Sequence, residues 1–312
     1  MDQFNDREPS PPRNAPAFEY HDLSTKRKVW VVGDIHGCFK LLKSQLKKVG
    51  FDKEQDVLVS VGDLVNRGPN NELVTKWLAR MLRVVGNHEE LTARAFHYGR
   101  NGYASDDFCL HYGQGGKWFW ENLSEEEQAQ MAEALWKAPV ALEIKTPKGH
   151  RIGVAHARVP SNDWELFRTI LCDENHPLHE GVQTRAIWCR SHIERLESEG
   201  STKRVKGIDR VFFGHTPNKT ILHHKNCVWL DTKAYHTKNL SIVDVDDWIE
   251  KHPEKKDKFR RFPNHETPQT THHTQNRRDN HPDAHVRRLL KTPRGRICSP
   301  RLRCLWQTNP QN

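Results

Sequence analysis

Long apolar runs are missing from this chain of 312 residues. No stretch approaches the roughly 18 apolar residues that a membrane-spanning helix needs. The first 20 residues are acidic, polar and rich in proline, and they lack the apolar core of a secretory signal. Cysteine is sparse: seven residues, an odd number, widely spread and without a Cys-x-x-Cys pair. That spacing argues against a disulfide framework or a zinc ribbon and for buried reduced thiols in a cytoplasmic protein. An excess of one charge is also missing from most of the chain. The 49 Lys and Arg outnumber the 40 Asp and Glu by nine, but residues 249–312 alone hold 15 basic and 6 acidic side chains. The whole excess therefore sits in the C-terminal segment, and residues 1–248 are electroneutral.

Three regions follow. Residues 1–26 contain four prolines and no apolar periodicity, and read as a flexible leader. Residues 27–248 are long enough to bury one full core and alternate β-branched runs with helical patterns. Lys28–Gly33 and Asp56–Gly62 read as buried strands, with Phe39, Leu41, Leu42, Leu46 and Val49 at helical spacing between them. Helices are expected over Asn71–Arg80, Glu89–Phe96, from Ser124 onward, Asp163–Leu171 and Thr184–Glu197. Strands are expected over Pro139–Ile144, Arg151–Ala155, Arg210–Phe213, Cys227–Leu230 and Leu240–Val245. Early alternation followed by strand-rich sequence predicts an α/β fold, a two-sheet β-sandwich flanked by α-helices. Residues 249–312 form a basic tail rich in Pro, His, Thr, Asn and Arg, expected to be disordered. Its arginine pairs (Arg260-Arg261, Arg277-Arg278, Arg287-Arg288) lack regular aromatic interleaving. Weak contact with nucleic acid or an anionic surface is one reading of this tail, and a solvated extension is the other.

Five segments place a ligand-type residue just after an apolar run. They are Gly33-Asp34-Ile35-His36-Gly37, Gly62-Asp63-Leu64-Val65-Asn66-Arg67-Gly68, Gly86-Asn87-His88-Glu89, Val154-Ala155-His156, and Phe212-Phe213-Gly214-His215-Thr216-Pro217. Loops at strand ends converge in α/β sheets, and that is where sites collect. Asp34, His36, Asp63, Asn87, His156 and His215 offer two carboxylates, three imidazoles and an amide oxygen. That set exceeds the needs of one catalytic zinc and suits two divalent cations bridged by a shared carboxylate. Such a pair activates a bridging water and clamps a phosphoryl group. Arg67 and Arg190 supply guanidinium forks for phosphate oxygens, and His88 is placed to protonate the leaving oxygen. The pairs His223-His224 and His272-His273 read as solvated.

These motifs resemble those of the calcineurin-like metallophosphoesterases, and within them the phosphoprotein phosphatases. The likeness is closest to the bacterial and phage serine/threonine protein phosphatases of the lambda type. Gly115-Gly116-Lys117-Trp118-Phe119, Ile187-Trp188-Cys189-Arg190 and the stretch from Lys206-Gly207 to Pro217 strengthen it, and it covers about residues 28–247. The resemblance implies two divalent ions, most often Mn2+, with Fe, Zn or Ni as alternatives. Asp34, His36 and Asp63 would hold one; Asp63, Asn87, His156 and His215 would hold the other. It further implies His88 as general acid, Arg67, Arg190 and Asn87 on the phosphate, and a phosphoserine or phosphothreonine protein as substrate, attacked by water held on the metals.

Three positions depart from that pattern. Asn66 stands where the protein phosphatases have an Asp beside the general acid. Its amide oxygen is expected to accept from the His88 ring while offering no charge to an imidazolium. Lys233 replaces a glycine and either faces the metals or turns to solvent. Arg158 replaces an Asp and is expected to alter the substrate rim. The Asn66 departure and the Arg67-Gly68-Pro69 sequence resemble the symmetrical diadenosine-tetraphosphate hydrolases, whose nucleotide leaving group needs little protonation. That activity is the alternative to protein dephosphorylation; an inactive phosphate-binding module is the third reading.

Overall fold

The computed structural model describes residues 10–99 and 106–254. Two sheets carry the fold. One has four strands in the order β10-β2-β3-β4: β2 is Lys28–Val32, β3 Asp56–Ser60, β4 Leu82–Arg83 and β10 Ile242–Asp244. The other has six in the order β1-β5-β6-β7-β9-β8, with β1 at Phe18–Asp22, β5 at Ala141–Lys145 and β6 at Arg151–Ala155. Its remaining strands are β7 at Arg210–Phe213, β8 at Leu222–His224 and β9 at Cys227–Trp229. The strands that lead into the site, β2, β3 and β4, run parallel, as do β6, β7 and β9. Their C-terminal ends therefore gather along one edge of each sheet.

Side-chain alternation along the strands sorts the core into layers. Val29, Val31, Val59 and Val61 of one sheet pack against Leu142, Ile144, Ile152, Val154 and Phe212 of the other. The alternate residues of the four-stranded sheet, Trp30, Val32 and Leu58, face helix α1 (Phe39–Lys48) and α6 (Glu125–Trp136). The outer face of the six-stranded sheet packs on α7 (Trp164–Cys172), α8 (His179–Trp188) and α9 (Ser191–Glu199) through Trp164, Phe167, Ile187 and Ile193. This is the expected two-sheet sandwich with helices outside. Ser124 opens α6 with a reciprocal capping box: its hydroxyl accepts from Glu127 N–H while the Glu127 carboxylate accepts from Ser124 N–H.

Several elements differ from expectation. Within the segment read as a leader, β1 pairs with β5, and Arg13 lies 4.3 Å over the Trp136 ring. Asn71–Arg80 is a 3-10 turn at Asn71–Leu73 followed by the one-turn helix α2, Thr75–Leu78. Thr184–Glu197 is two helices, α8 and α9, because the chain turns extended at Cys189. Helix α11, Val245–Lys251, crosses the expected domain end at residue 248. The tail from residue 255 lies outside the described residues. Among those described, no helix is long and apolar enough to cross a membrane.

Candidate active site

Each candidate ligand leaves the C-terminal end of a strand. Asp34 and His36 follow β2, Asp63 follows β3, and Asn87 and His88 open helix α3 (Asn87–Gly99) after β4. His156 follows β6, and His215 follows β7. The loops turn sharply enough that His36, Asp63, Asn66, Arg67 and His215 all adopt positive φ, between +43° and +71°. Non-glycine residues held there cost about 1–3 kcal/mol each and persist where surrounding contacts over-determine them. Gly214 makes one of the close approaches. A Cβ at that position would lie 2.0 Å from Asp34 Oδ1, and His215 N–H donates to both Asp34 oxygens, at 3.0 and 3.3 Å.

Asp63 stands at the centre. Its Oδ1 lies 3.3 Å from His156 Nε2, and its Oδ2 lies 3.5 Å from His36 Nε2 and 4.0 Å from His88 Nε2. Asn87 Oδ1 lies 3.0 Å from His156 Nε2 and 2.8 Å from His215 Nδ1. Three backbone carbonyls fix the tautomers. His36 Nδ1–H donates to Val65 O at 2.9 Å, His156 Nδ1–H to Val61 O at 2.8 Å, and His215 Nε2–H to Trp188 O at 2.9 Å. A carbonyl can only accept, so each neutral ring turns its lone pair toward the carboxylate and amide oxygens. Facing lone pairs need a cation or a proton between them.

The electrostatics say the same. Burial alone would raise Asp63, but His156, His88 and His36 outweigh it and hold its carboxyl well below the usual range. Burial works to lower His156, yet Asp63 draws a proton onto the ring and raises it. In Asp34, burial first and then the charges of Asp231 and Asp63 push the carboxyl well above its usual value. Burial takes His36 down to about 4. Burial, then His156 and Arg190, hold His215 well below its ordinary value. Asp231, at the end of β9, is buried and its Oδ2 has no hydrogen-bond donor. Two groupings, His36-Asp63-His88 and Asp34-Asp63-His156, bring ligand atoms within 4.8 Å of one another. Both contain Asp63. Crowded carboxylates, lone pairs aimed inward and an orphaned buried oxygen fit divalent cations, and Asp63 is positioned to be shared between two.

The second ring of contacts holds residues that sequence reasoning overlooked. Glu89 accepts from the N–H groups of Asp63, Leu64 and Gly86, each at 2.8 Å, and so ties two ligand loops together. Burial, then Asp63, raise its carboxyl to about 7. Trp118, on helix α5 (Lys117–Asn122), donates its indole N–H to Asn66 Oδ1 at 2.9 Å. The amide nitrogen of Asn66 therefore faces His88 Nδ1 at 3.1 Å. This corrects the expectation that the amide oxygen accepts from the ring: the oxygen is already taken by a group that can only donate. Asp231 carried a usable signal, since it follows an apolar run as the other site residues do. Glu89 and Trp118 lay inside quoted motifs, but their partners are set by tertiary packing.

The arginines differ from one another. Arg67 reaches His36 Nε2 (3.2 Å) and Gln114 Oε1 (3.2 Å) and lies 5.4 Å from the Tyr235 ring centre. Gly115, at φ +92°, lets the α5 loop approach: a Cβ there would come within 2.4 Å of Arg67 N. Arg190 is exposed at the α8–α9 junction, and its charge acts on His215. Arg158 is tied to the α8–α9 junction. It donates to Pro160 O, Ser191 Oγ and Cys189 Sγ, bracing the junction that carries Arg190. The Lys233 side chain is exposed while its backbone N–H donates to Asp231 Oδ1 at 2.8 Å. His223 packs beside Trp248 and His252, away from the ligand cluster.

Comparison with known proteins gives one consistent family. The sequence model of a family described as "Calcineurin-like phosphoesterase" matches residues 27–219. Serine/threonine-protein phosphatase 1 of Salmonella typhimurium (strain LT2) is 33% identical over 228 residues, which are 70% of this chain and 92% of that protein. Serine/threonine-protein phosphatase 2 of Escherichia coli (strain K12) is 28% identical over 237 residues, 74% of this chain and 99% of that protein. The symmetrical bis(5'-nucleosyl)-tetraphosphatase of Coxiella burnetii (strain RSA 331) is 31% identical over 156 residues, 49% of each.

Proposed function

Because this chain belongs to the calcineurin-like phosphoesterases, we propose that it removes phosphate from phosphoserine and phosphothreonine in proteins, using two divalent cations, most often manganese. The observation that carries the reading is Asp63, whose two oxygens face His156 and His36 at 3.3 and 3.5 Å. Asp34, His36 and Asp63 would hold one cation; Asp63, Asn87, His156 and His215 would hold the other. The protein substrate is supported by likeness to serine/threonine phosphatases over 92% of one such relative, against half of the tetraphosphatase.

When bound, the cations supply activation of water and neutralisation of phosphate charge. The chain supplies the rest. Arg67 and Arg190 grip phosphate oxygens, and their charge stabilises the transition state more than the ground state as negative charge gathers there. His88 presents Nε2, buried and without a partner, toward the same space as Asp63 Oδ2. Asn66 donates to its Nδ1, so the neutral ring carries its N–H on Nε2 and can donate a hydrogen bond to the leaving oxygen as negative charge develops there. Hydrolysis of a phosphoserine peptide with manganese tests the reading. Asp63→Asn is expected to abolish it, and full activity in EDTA overturns it.

The Asn66 geometry favours a second reading, a dinucleoside-polyphosphate hydrolase. A phosphate leaving group departs without full protonation, so a general acid lacking a carboxylate partner suffices. Turnover of diadenosine tetraphosphate against phosphopeptide separates the two. Metal binding without hydrolysis of p-nitrophenyl phosphate would instead mark a binding module.

A further inference from the structure

Four consecutive residues at the start of α3 point to three different places. Asn87 and His88 enter the ligand cluster, Glu89 ties the loops after β3 and β4, and Glu90 turns the other way. Glu90 is buried, and its two oxygens are held by groups distant in sequence. Ser10 Oγ donates to Oε1, and Trp188 Nε1 donates to Oε2 at 2.5 Å. The backbone carbonyl of that same Trp188 accepts from His215 Nε2, and Arg190 follows two residues later. An unbroken series of hydrogen bonds thus runs from the N-terminal segment to a candidate metal ligand.

That segment is anchored independently of Glu90. Trp136 Nε1 donates to Pro11 O at 3.1 Å, Arg13 stacks on the Trp136 ring, and Arg13 Nη2 donates to Ala138 O. Ala17 O then accepts from Val140 and Ala141 N–H as the chain enters β1. Arg13 Nε and Nη1 are buried without a hydrogen-bond partner; burial works to lower the guanidinium's pKa, and the charge of Glu90 opposes that shift. A buried carboxylate needs a counter-charge and donors for its lone pairs. Arg13 supplies the former, and Ser10 supplies half of the latter. Without them Glu90 would keep the Trp188 indole alone, and repelling or rehydrating that carboxylate would move Trp188.

We propose that residues Ser10–Arg13, which lie outside the matched family region, are a positioning brace for the active site: they neutralise and orient Glu90, which holds Trp188, which fixes His215 and Arg190. The inference rests on reading His215 as a metal ligand. Partners that orient a ligating histidine change metal affinity by about 10- to 100-fold when lost, so the brace should be visible in binding as well as in rate.

The test uses the full chain and manganese alone as the probe. Calorimetric titration of the wild type comes first; no manganese binding there overturns the site reading itself. Arg13→Ala is then expected to weaken manganese binding about tenfold and to raise KM for p-nitrophenyl phosphate more than it lowers kcat. Ser10→Ala, a milder change that keeps the fold, shifts both in the same direction by less. In a Glu90→Gln background, where no buried charge needs balancing, Arg13→Ala loses most of its effect on manganese affinity. The brace is refuted if Arg13→Ala and Ser10→Ala lower Tm while manganese affinity and KM stay at wild-type values. It is equally refuted if the Arg13→Ala effect is undiminished beside Glu90→Gln.

Discussion

The indole N–H of Trp118 donates to Asn66 Oδ1 at 2.9 Å, and this contact decides which end of the Asn66 amide meets His88. Rotating the amide would set its NH2 group against the indole N–H and leave two donors facing each other. The arrangement therefore holds Nδ2 on His88 Nδ1. An aspartate at the same place would accept from both Trp118 and a protonated His88. Asn66→Asp is expected to raise kcat on a phosphoserine peptide about tenfold or more, a small part of the 10²–10⁴ range for general-acid assistance. It should change diadenosine-tetraphosphate turnover little. Equal rates for the two proteins on the peptide would contradict this account of Asn66.

Gly214 leaves space for one specific oxygen. Gly214→Ala places a methyl group 2.0 Å from Asp34 Oδ1, so either the carboxylate or the His215 loop must shift. Manganese affinity measured by calorimetry is expected to fall at least tenfold while the circular dichroism of the fold persists.

Glu89 contributes by bracing rather than by chemistry. A carboxylate accepts three backbone N–H groups there; a glutamine would turn its NH2 group toward at least one of them. Glu89→Gln should lower stability in urea denaturation by about 2 kcal/mol, within the cost of a buried unsatisfied donor. Wild-type stability in the variant would show that the loops hold themselves.

Acid sensitivity follows from buried neutral histidines. His111 accepts from Trp120 Nε1 at 3.0 Å and packs against Thr92, and burial lowers it from 6.5 to about 3. The ring takes a proton more readily when unfolded, so the unfolded state binds more protons between pH 6.5 and about 3. Its burial costs nothing in this respect above pH 6.5, and stability falls with pH through that window by up to about 1.4 kcal/mol per pH unit. His111→Gln should be less stable at pH 7 but lose less between pH 6.5 and 4 than the wild type. Parallel pH profiles would show that His111 titrates normally in the fold.

The parts of this molecule legible in its sequence share one physical origin. β2, β3, β6 and β7 are short apolar runs buried over most of their length on both faces, and the residues that follow them are among those the structure brings together. The interrupted helix at Cys189 was hidden because the helical pattern continues across it. The strand Phe18–Asp22 was hidden because it is a half-exposed edge with Glu19 and His21 in alternation, preceded by prolines that suppress periodicity. Its preceding residues are held by contacts with Trp136 and Glu90, more than 70 positions away in sequence. The orientation of Asn66 was unreadable for the same reason. An amide offers both a donor and an acceptor, and only Trp118, 52 residues away, selects between them.

The central claim is that Asp63 and the five side chains gathered around it bind two cations for phosphate-ester hydrolysis. It is tested most directly by stripping the full chain with EDTA, removing the chelator, and following phosphoserine-peptide hydrolysis as manganese is added back. The account predicts no turnover in the stripped protein and activity that saturates as both sites fill. Undiminished hydrolysis by the stripped protein would contradict it.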